Sequence, residues 1–291
     1  MIHVAGAGCT EKEKRAKKMK TYAIWNVKGG VGKTITAVNL AAGLAGKGKR
    51  VLLIDLDGQS SASFQLFPYR EFSEEDLTIV NALPGEAELK DCIYPTAIKN
   101  LDVAPSTLYL FTVDKRMMFL TSGIQQTKLK KMLRSMKNSY DYVVIDTNPS
   151  INMCITNALC ACDHLIIPTD MEKGALRGVD ISLDYSKEIL ANIDGIEFDI
   201  RILPTQFSNR KRDVMTLNAL KDKHMGLFTK TLIRKQDSAV RDANDKDKPV
   251  IHYSNKRNKV SADYKDFVNE IYRKKGEKNE FAYGKKRVAE F

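Results

Sequence analysis

Lys28-Gly29-Gly30-Val31-Gly32-Lys33-Thr34 sets three glycines, two lysines and a hydroxyl in seven residues. A run of this kind suits a polyphosphate. The glycines let the backbone curl until several N–H groups converge on one anion. Lys33 would place a point charge on the β- and γ-phosphates, and the Thr34 hydroxyl would ligate Mg²⁺. Carboxylates for the same site stand further along. Asp55 and Asp57 close the apolar run Val51-Leu52-Leu53-Ile54, and Asp146 closes Tyr142-Val143-Val144-Ile145. Four apolar residues followed by aspartate is a Walker B pattern, in which Asp146 would hold Mg²⁺ through a water opposite Thr34.

These side chains need strands and helices to bring them together. Tyr22 to Val27 reads as a short buried strand. Ile35 to Leu44 reads as a helix, with Ile35, Val38, Ala42 and Ala45 along one side. A helix beginning at the loop adds its unpaired N-terminal N–H groups and the positive end of its dipole. Alternate strand positions share a face, so Asp55 and Asp57 point the same way, into the crevice at the carboxyl end of a parallel strand. Further strands are expected at Leu101 to Pro105, in the run ending at Asp146, at Asp163 to Pro168 and at Phe198 to Leu203. Thr169-Asp170 is expected at the crevice end of the third. Helices are expected at Leu77 to Leu83, Thr121 to Met136, Ile151 to Cys162, Gly174 to Ile193, from Asn209 onward, Ser238 to Ala243, and Val260 to Lys275. The alternation predicts an α/β fold: one doubly wound, mostly parallel β-sheet with helices on both faces. Residues 1–18 read as a disordered leader, 19–275 as a single domain and 276–291 as a polar, basic tail.

The composition, 43% hydrophobic and 29% charged, fits a soluble globular chain. No apolar run approaches the roughly 20 residues that span a bilayer. The five cysteines form no C-x-x-C pair and the four histidines no metal spacing, so reduced thiols in the cytoplasm are expected, with Cys154 and Cys160 on a packed helix face. The net charge of +11 favours a polyanionic partner: DNA, RNA or an anionic membrane. No N-K-x-D guanine signature is present, which favours ATP over GTP.

The generic loop pattern G-x-x-x-x-G-K-[ST] requires glycine where Val27 stands. A lysine, Lys28, heads the loop instead. The run resembles the deviant Walker A signature K-G-G-x-G-K-[ST] of the ParA/MinD family of P-loop ATPases. Asp55-Leu56-Asp57-Gly58-Gln59 resembles that family's D-x-D-P-Q segment, with Gly58 in place of proline and so a less rigid turn. Asp146-Thr147-Asn148-Pro149 resembles its D-T-x-P segment. The resemblance covers Met19 to Lys275. It implies that Lys28, Gly29, Gly30, Val31, Gly32, Lys33, Thr34 and Ile35 cradle ATP. It also implies that Asp57 positions or polarises the attacking water, that Asp55 supports the metal shell, and that Phe228 to Ile233 is a late strand. The loop after Phe198 to Leu203 would lie against adenine, which makes Pro204, Gln206 and Phe207 candidates. Lys28 would reach across an ATP-dependent homodimer to the partner's nucleotide, in the manner of an arginine finger.

The implied function is ParA-like: an ATPase that dimerises on ATP, binds DNA nonspecifically on the nucleoid and segregates a plasmid or chromosome with a ParB-like adaptor. Arg210, Lys211, Arg212, Lys230, Arg234, Lys235, Arg241, Lys256, Arg257 and Lys259 are the candidate phosphate contacts. A MinD-like membrane-associated ATPase would instead need an amphipathic C-terminal helix. The tail offers only Phe281, Tyr283, Val288 and Phe291 among charges, so no membrane partner is expected. An iron-protein-like reductase would draw on Cys160 and Cys162 for a shared cluster, yet their spacing on a helix argues for packing.

Overall fold

The computed structural model describes residues 19–119, 124–253 and 258–272. The expected leader, the tail from Gly276, and the candidates Lys256 and Arg257 lie outside the described residues. Among those described, β1 (Lys20–Ile24), β2 (Val51–Leu56), β3 (Tyr94–Pro95), β4 (Leu101–Ala104), β5 (Tyr142–Thr147), β6 (His164–Thr169) and β7 (Asp199–Pro204) build one sheet. Its order is β3-β4-β2-β5-β1-β6-β7. Every pairing is parallel except that of the two-residue edge strand β3 with β4.

Ten helices cover the described sheet: α1 (Lys33–Gly46), α2 (Ser61–Leu66), α3 (Ile79–Ala82), α4 (Leu110–Met118), α5 (Lys128–Ser135), α6 (Met153–Ala161), α7 (Ala175–Asn192), α8 (Lys211–Lys223), α9 (Asp237–Asn244) and α10 (Lys259–Ile271). β2 and β5 are buried at every position, which is why they read as continuous apolar runs. The pleat deals alternate residues to two cores. Trp25, Leu52, Ile54, Val143 and Ile145 pack on one face. Tyr22, Ile24, Leu53, Tyr142 and Val144 pack on the other with α1 and α10. This alternation assigns Asp55 and Asp146 to the α1 face. Among the described residues no helix is long and apolar enough to cross a membrane.

Two local expectations differ from the structure. Phe228 to Ile233 is not a strand; only the bridges Ile202–Phe228 and Phe207–Arg234 form. The N–H groups of Lys230 and Thr231 donate instead to the Glu270 carboxylate, at 2.8 and 2.9 Å, and so are withdrawn from any ladder. Within the helix expected over Thr121 to Met136, the described residues form a 3₁₀ turn at Gln125–Thr127 and then α5 from Lys128. There the Asn157 side chain accepts from Leu129 N and donates to Gln125 O, which holds the tighter turn. α4 was not anticipated, although its buried Leu110, Val113 and Met117 have helical spacing.

Gly43 lies at a close approach of α1 to α10. A Cβ there would lie 2.5 Å from Val268 Cγ2 and 2.7 Å from Ile251 Cδ1. Alanine gains about 1 kcal/mol of helix propensity over glycine, but overpacking typically costs about 1–3 kcal/mol. Gly43→Ala should therefore lower unfolding stability in a urea titration; a stabilised variant would show that these helices separate freely.

Candidate nucleotide-binding site

β1 delivers the chain to the middle of the sheet, between β5 and β6. Gly30 (φ 74°) and Gly32 (φ 84°) take left-handed backbone that side chains resist, and this turns the loop into α1. A Cβ on Gly29 or Gly30 would meet nothing within 4 Å, so the loop's outer side is open to a ligand. α1 starts at Lys33, and its first-turn N–H groups have no intrahelical partner. Lys33 is buried, and its Nζ donates to Lys28 O at 3.1 Å. Burial lowers the Lys33 pKa, opposed by Asp146 and Asp57.

Register brings the carboxylates together. Asp55 and Asp146 are direct partners across β2 and β5, and Asp146 is also opposite Ile24 of β1. Both are fully buried. Asp55 accepts from Asp57 N (3.1 Å), Ser63 N (2.9 Å) and Ser63 Oγ (2.7 Å). Burial pushes its pKa up to about 6, and the hydrogen bonds hold it from rising further. Asp146 Oδ1 accepts from Thr147 N at 3.0 Å, while its buried Oδ2 has no hydrogen-bond partner. Burial, then the Asp55 charge, raises the Asp146 pKa; the nearby Thr34 hydroxyl and Lys33 ammonium oppose the rise. An orphaned carboxylate oxygen beside a second buried carboxylate and a threonine hydroxyl is a donor set that fits a hard divalent cation. Asp57 lies past the strand end, half-buried, with Oδ1 accepting from Gln59 N at 2.9 Å.

Several residues brace the loop from below. Thr205 Oγ1 donates to Val31 O (2.8 Å) and Gln206 Nε2 to Gly30 O (2.6 Å). Gln206 thus holds the loop itself, and Phe207 packs against the core, with its N–H and carbonyl committed to Ile233 and Lys235. Pro204 is buried and its carbonyl accepts from Ile233 N. Asn26 donates to Pro168 O and accepts from Lys28 N, both at 2.8 Å, and Ser182 Oγ accepts from Val27 N at 3.1 Å. Gly178 of α7 lets this corner close: a Cβ there would sit 3.0 Å from Lys28 Cβ. Asn26 had a legible signal, a lone amide in an apolar run; Ser63 and Ser182 had none. Lys28 Nζ meets Asp170 Oδ1 of the same chain at 2.5 Å, at the crevice end of β6.

The basic candidates divide. Arg210 and Lys211 are exposed at the start of α8, and Arg212 pairs with Glu172 at 2.7 Å. Lys235, Arg241 and Lys259 are exposed on neighbouring elements, joined where Lys259 N donates to Gln236 Oε1. Lys230 is exposed beside Glu270. Arg234 is committed elsewhere: its guanidinium is held by both oxygens of Asp263 and by Lys259 O, a role in the fold that charge counting could not foresee. Cys160 and Cys162 are buried. Burial pushes the Cys160 thiol up to about 11 and raises that of Cys162, which suits packing and not thiolate ligation.

Residues 19–198 match the AAA domain family. The sporulation initiation inhibitor protein Soj of Bacillus subtilis is 32% identical over 253 residues, which is 87% of this chain and 98% of Soj. A Borrelia burgdorferi protein assigned to plasmid partition, solved bound to AMPPNP, superposes with a TM-score of 0.72 at 25% identity, over 87% of this chain and 98% of that one. Cobyrinic acid a,c-diamide synthase of Mycobacterium smegmatis, with a bound ATP analogue and magnesium, shares the fold. Its TM-score is 0.73 at 24% identity, over 86% of this chain and 93% of that one.

The Asp55 shift fixes a pH dependence. Its folded pKa of about 6 exceeds the unfolded value of about 4. The folded state therefore binds the extra proton, and the stability it contributes is present below about pH 4 and lost as pH rises through about 6. The nucleotide-free protein should lose unfolding free energy across that window, and Asp55→Asn should flatten the loss. Parallel urea titrations with equal pH slopes for both proteins would contradict the assignment.

Proposed function

The chain belongs to the ParA/MinD family of P-loop ATPases, and on that premise we propose that it is a Mg²⁺-dependent ATP hydrolase that dimerises on ATP, binds DNA without sequence preference and serves the partition of a plasmid or chromosome. The observation that carries the hydrolase reading is the Asp55–Asp146 pair, in register at the foot of the glycine loop, with Asp146 Oδ2 unpartnered. Thr34, Asp146 and Asp55 would hold the metal, which when bound would neutralise charge on the phosphates. Lys33 and the N–H groups from Gly29 to Thr34 hold the phosphate oxygens and favour the negative charge there. Asp57 orients the attacking water.

Lys28 supplies the switch. In the single chain Asp170 holds it, with 23% of the lysine side chain exposed. In the proposed dimer it leaves that carboxylate for the partner's nucleotide. ATP then joins two chains, and hydrolysis separates them. Face-to-face pairing doubles the basic surface, and Arg210, Lys211, Lys235, Arg241 and Lys259 are the proposed phosphate contacts, with Lys230 and Arg212 at the margin. A ParB-like adaptor that stimulates hydrolysis fits this scheme, as does a location on the nucleoid. The likeness to Soj, over nearly the whole of both chains, supports this reading.

Two mutants separate the steps. Lys33→Ala should abolish ATP binding and turnover; normal turnover would remove the site. Lys28→Ala should still bind ATP but lose both ATP-dependent dimerisation, read by light scattering, and most turnover. Retention of the ATP-bound dimer would contradict the reach across the interface.

DNA binding should require ATP and fall steeply with salt. If the dimer contacts 6 or more phosphates, affinity drops roughly 10³-fold between 50 and 200 mM salt. A gel-shift titration against nonspecific duplex, with and without ATP, checks this, and nucleotide-independent, salt-insensitive binding would overturn it.

A further inference from the structure

The turn that carries Asp57 is covered by an aromatic ring. Ser60 N donates to Asp57 O at 2.9 Å, so residues 57–60 form a β-turn with Gly58 at its second position. Proline is favoured there because its ring presets the backbone angle. Glycine does the reverse and leaves the turn its widest conformational freedom. Yet the space beside Gly58 is occupied. A Cβ at this position would lie 2.7, 2.8 and 3.0 Å from Cε2, Cζ and Cδ2 of Phe111.

Phe111 belongs to α4, and α4 is well anchored. Leu110, Val113 and Met117 bury its opposite side in the core. Asp114 accepts from Cys154 N at 3.3 Å, which ties the helix to the start of α6 just beyond the loop after Asp146. The segment before α4 joins the carboxylates by a second route. Ser106 N donates to Ser63 Oγ (3.0 Å), and Ser63 Oγ donates to Asp55 Oδ2 (2.7 Å). Phe111 itself is 56% exposed, so core burial does not explain its position. Its ring spans the gap between an anchored helix and a turn built on glycine.

We infer that Phe111 is a positioning residue for hydrolysis: its ring, laid on Gly58, supplies the restraint that proline gives elsewhere and so keeps the Asp57 carboxylate where it orients water. This rests on the hydrolase reading above. Two consequences distinguish it from plain surface packing. Removing the ring should slow the chemical step without weakening ATP binding. Proline at position 58, with the ring gone and its space open, should restore what was lost. Among the described residues no hydrogen bond uses the Gly58 N–H, so proline there breaks none.

The experiment measures kcat and KM for ATP, with Tm alongside, for the full chain and for Phe111→Ala, Phe111→Leu and the double variant Phe111→Ala/Gly58→Pro. Phe111→Ala should lower kcat roughly tenfold with KM changed by less than about twofold. Phe111→Leu should fall between alanine and wild type, and it carries the test if the alanine variant does not fold. The double variant should recover most of the lost rate. A kcat for Phe111→Ala within about twofold of wild type, or a double variant no faster than Phe111→Ala, would overturn the inference while wild-type turnover leaves the hydrolase reading standing. A wild-type chain that binds ATP without turnover would overturn both.

Discussion

Two carboxylates sit side by side, out of water, with one ammonium for company. Parallel register between β2 and β5 sets Asp55 against Asp146, and the pleat turns both toward α1, where Lys33 enters. Such a group of charges is poorly satisfied in isolation. Burial raises both carboxyl pKa values and lowers that of Lys33, so each group is pressed toward its neutral form. A cation with phosphate oxygens would relieve this arrangement, restoring charge to groups that burial penalises. With β5 between β1 and β2, Asp146 lies next to both Asp55 and the strand that feeds the glycine loop.

The loop is held with corresponding care. Its carbonyls are bound by Thr205 and Gln206, and its entrance by Asn26 and Ser182. With carbonyls drawn toward the protein, N–H groups are left for the anion, which is the polarity a phosphate site requires. A site preorganised this way does not have to reorganise its dipoles when ligand arrives. Thr205 and Gln206, just past β7, and Ser182 of α7 are far from the loop in sequence, so the site is a property of the whole sheet.

The sequence made the layout of the candidate site legible where one residue type is demanded by local backbone. Gly30 and Gly32, Lys33, Thr34 and the strand-end aspartates could be read because strand, turn and helix must follow in that order. The doubly wound sheet was equally legible from its alternation. Hidden were the features fixed by contacts distant in sequence. Glu270 takes the N–H groups of Lys230 and Thr231 and cancels a strand that their neighbourhood favours. Asn157 delays the start of α5. The bond from the Gln206 amide to Gly30 O could not be read from its place after β7. Arg234 looks like its basic neighbours until Asp263 is seen beneath it. Charge counts cannot show such pairings, because they depend on which acid the fold brings near.

Lys28 raises the question of how one residue can serve two states. An ion pair with Asp170 at 2.5 Å, partly shielded, gives the lysine a defined place when the chain is alone. A free ammonium in solvent would lose more rotamer freedom on docking than one already ordered, so the resting pair lowers the entropy lost on transfer. It also sets a threshold, since only a site richer in negative charge than one carboxylate can draw the lysine away. In the proposed dimer a triphosphate on the facing chain would meet that condition, and a diphosphate would meet it less well. The discrimination between nucleotide states in that dimer would then reside in a competition for one ammonium, with Asp170 the competitor within the chain.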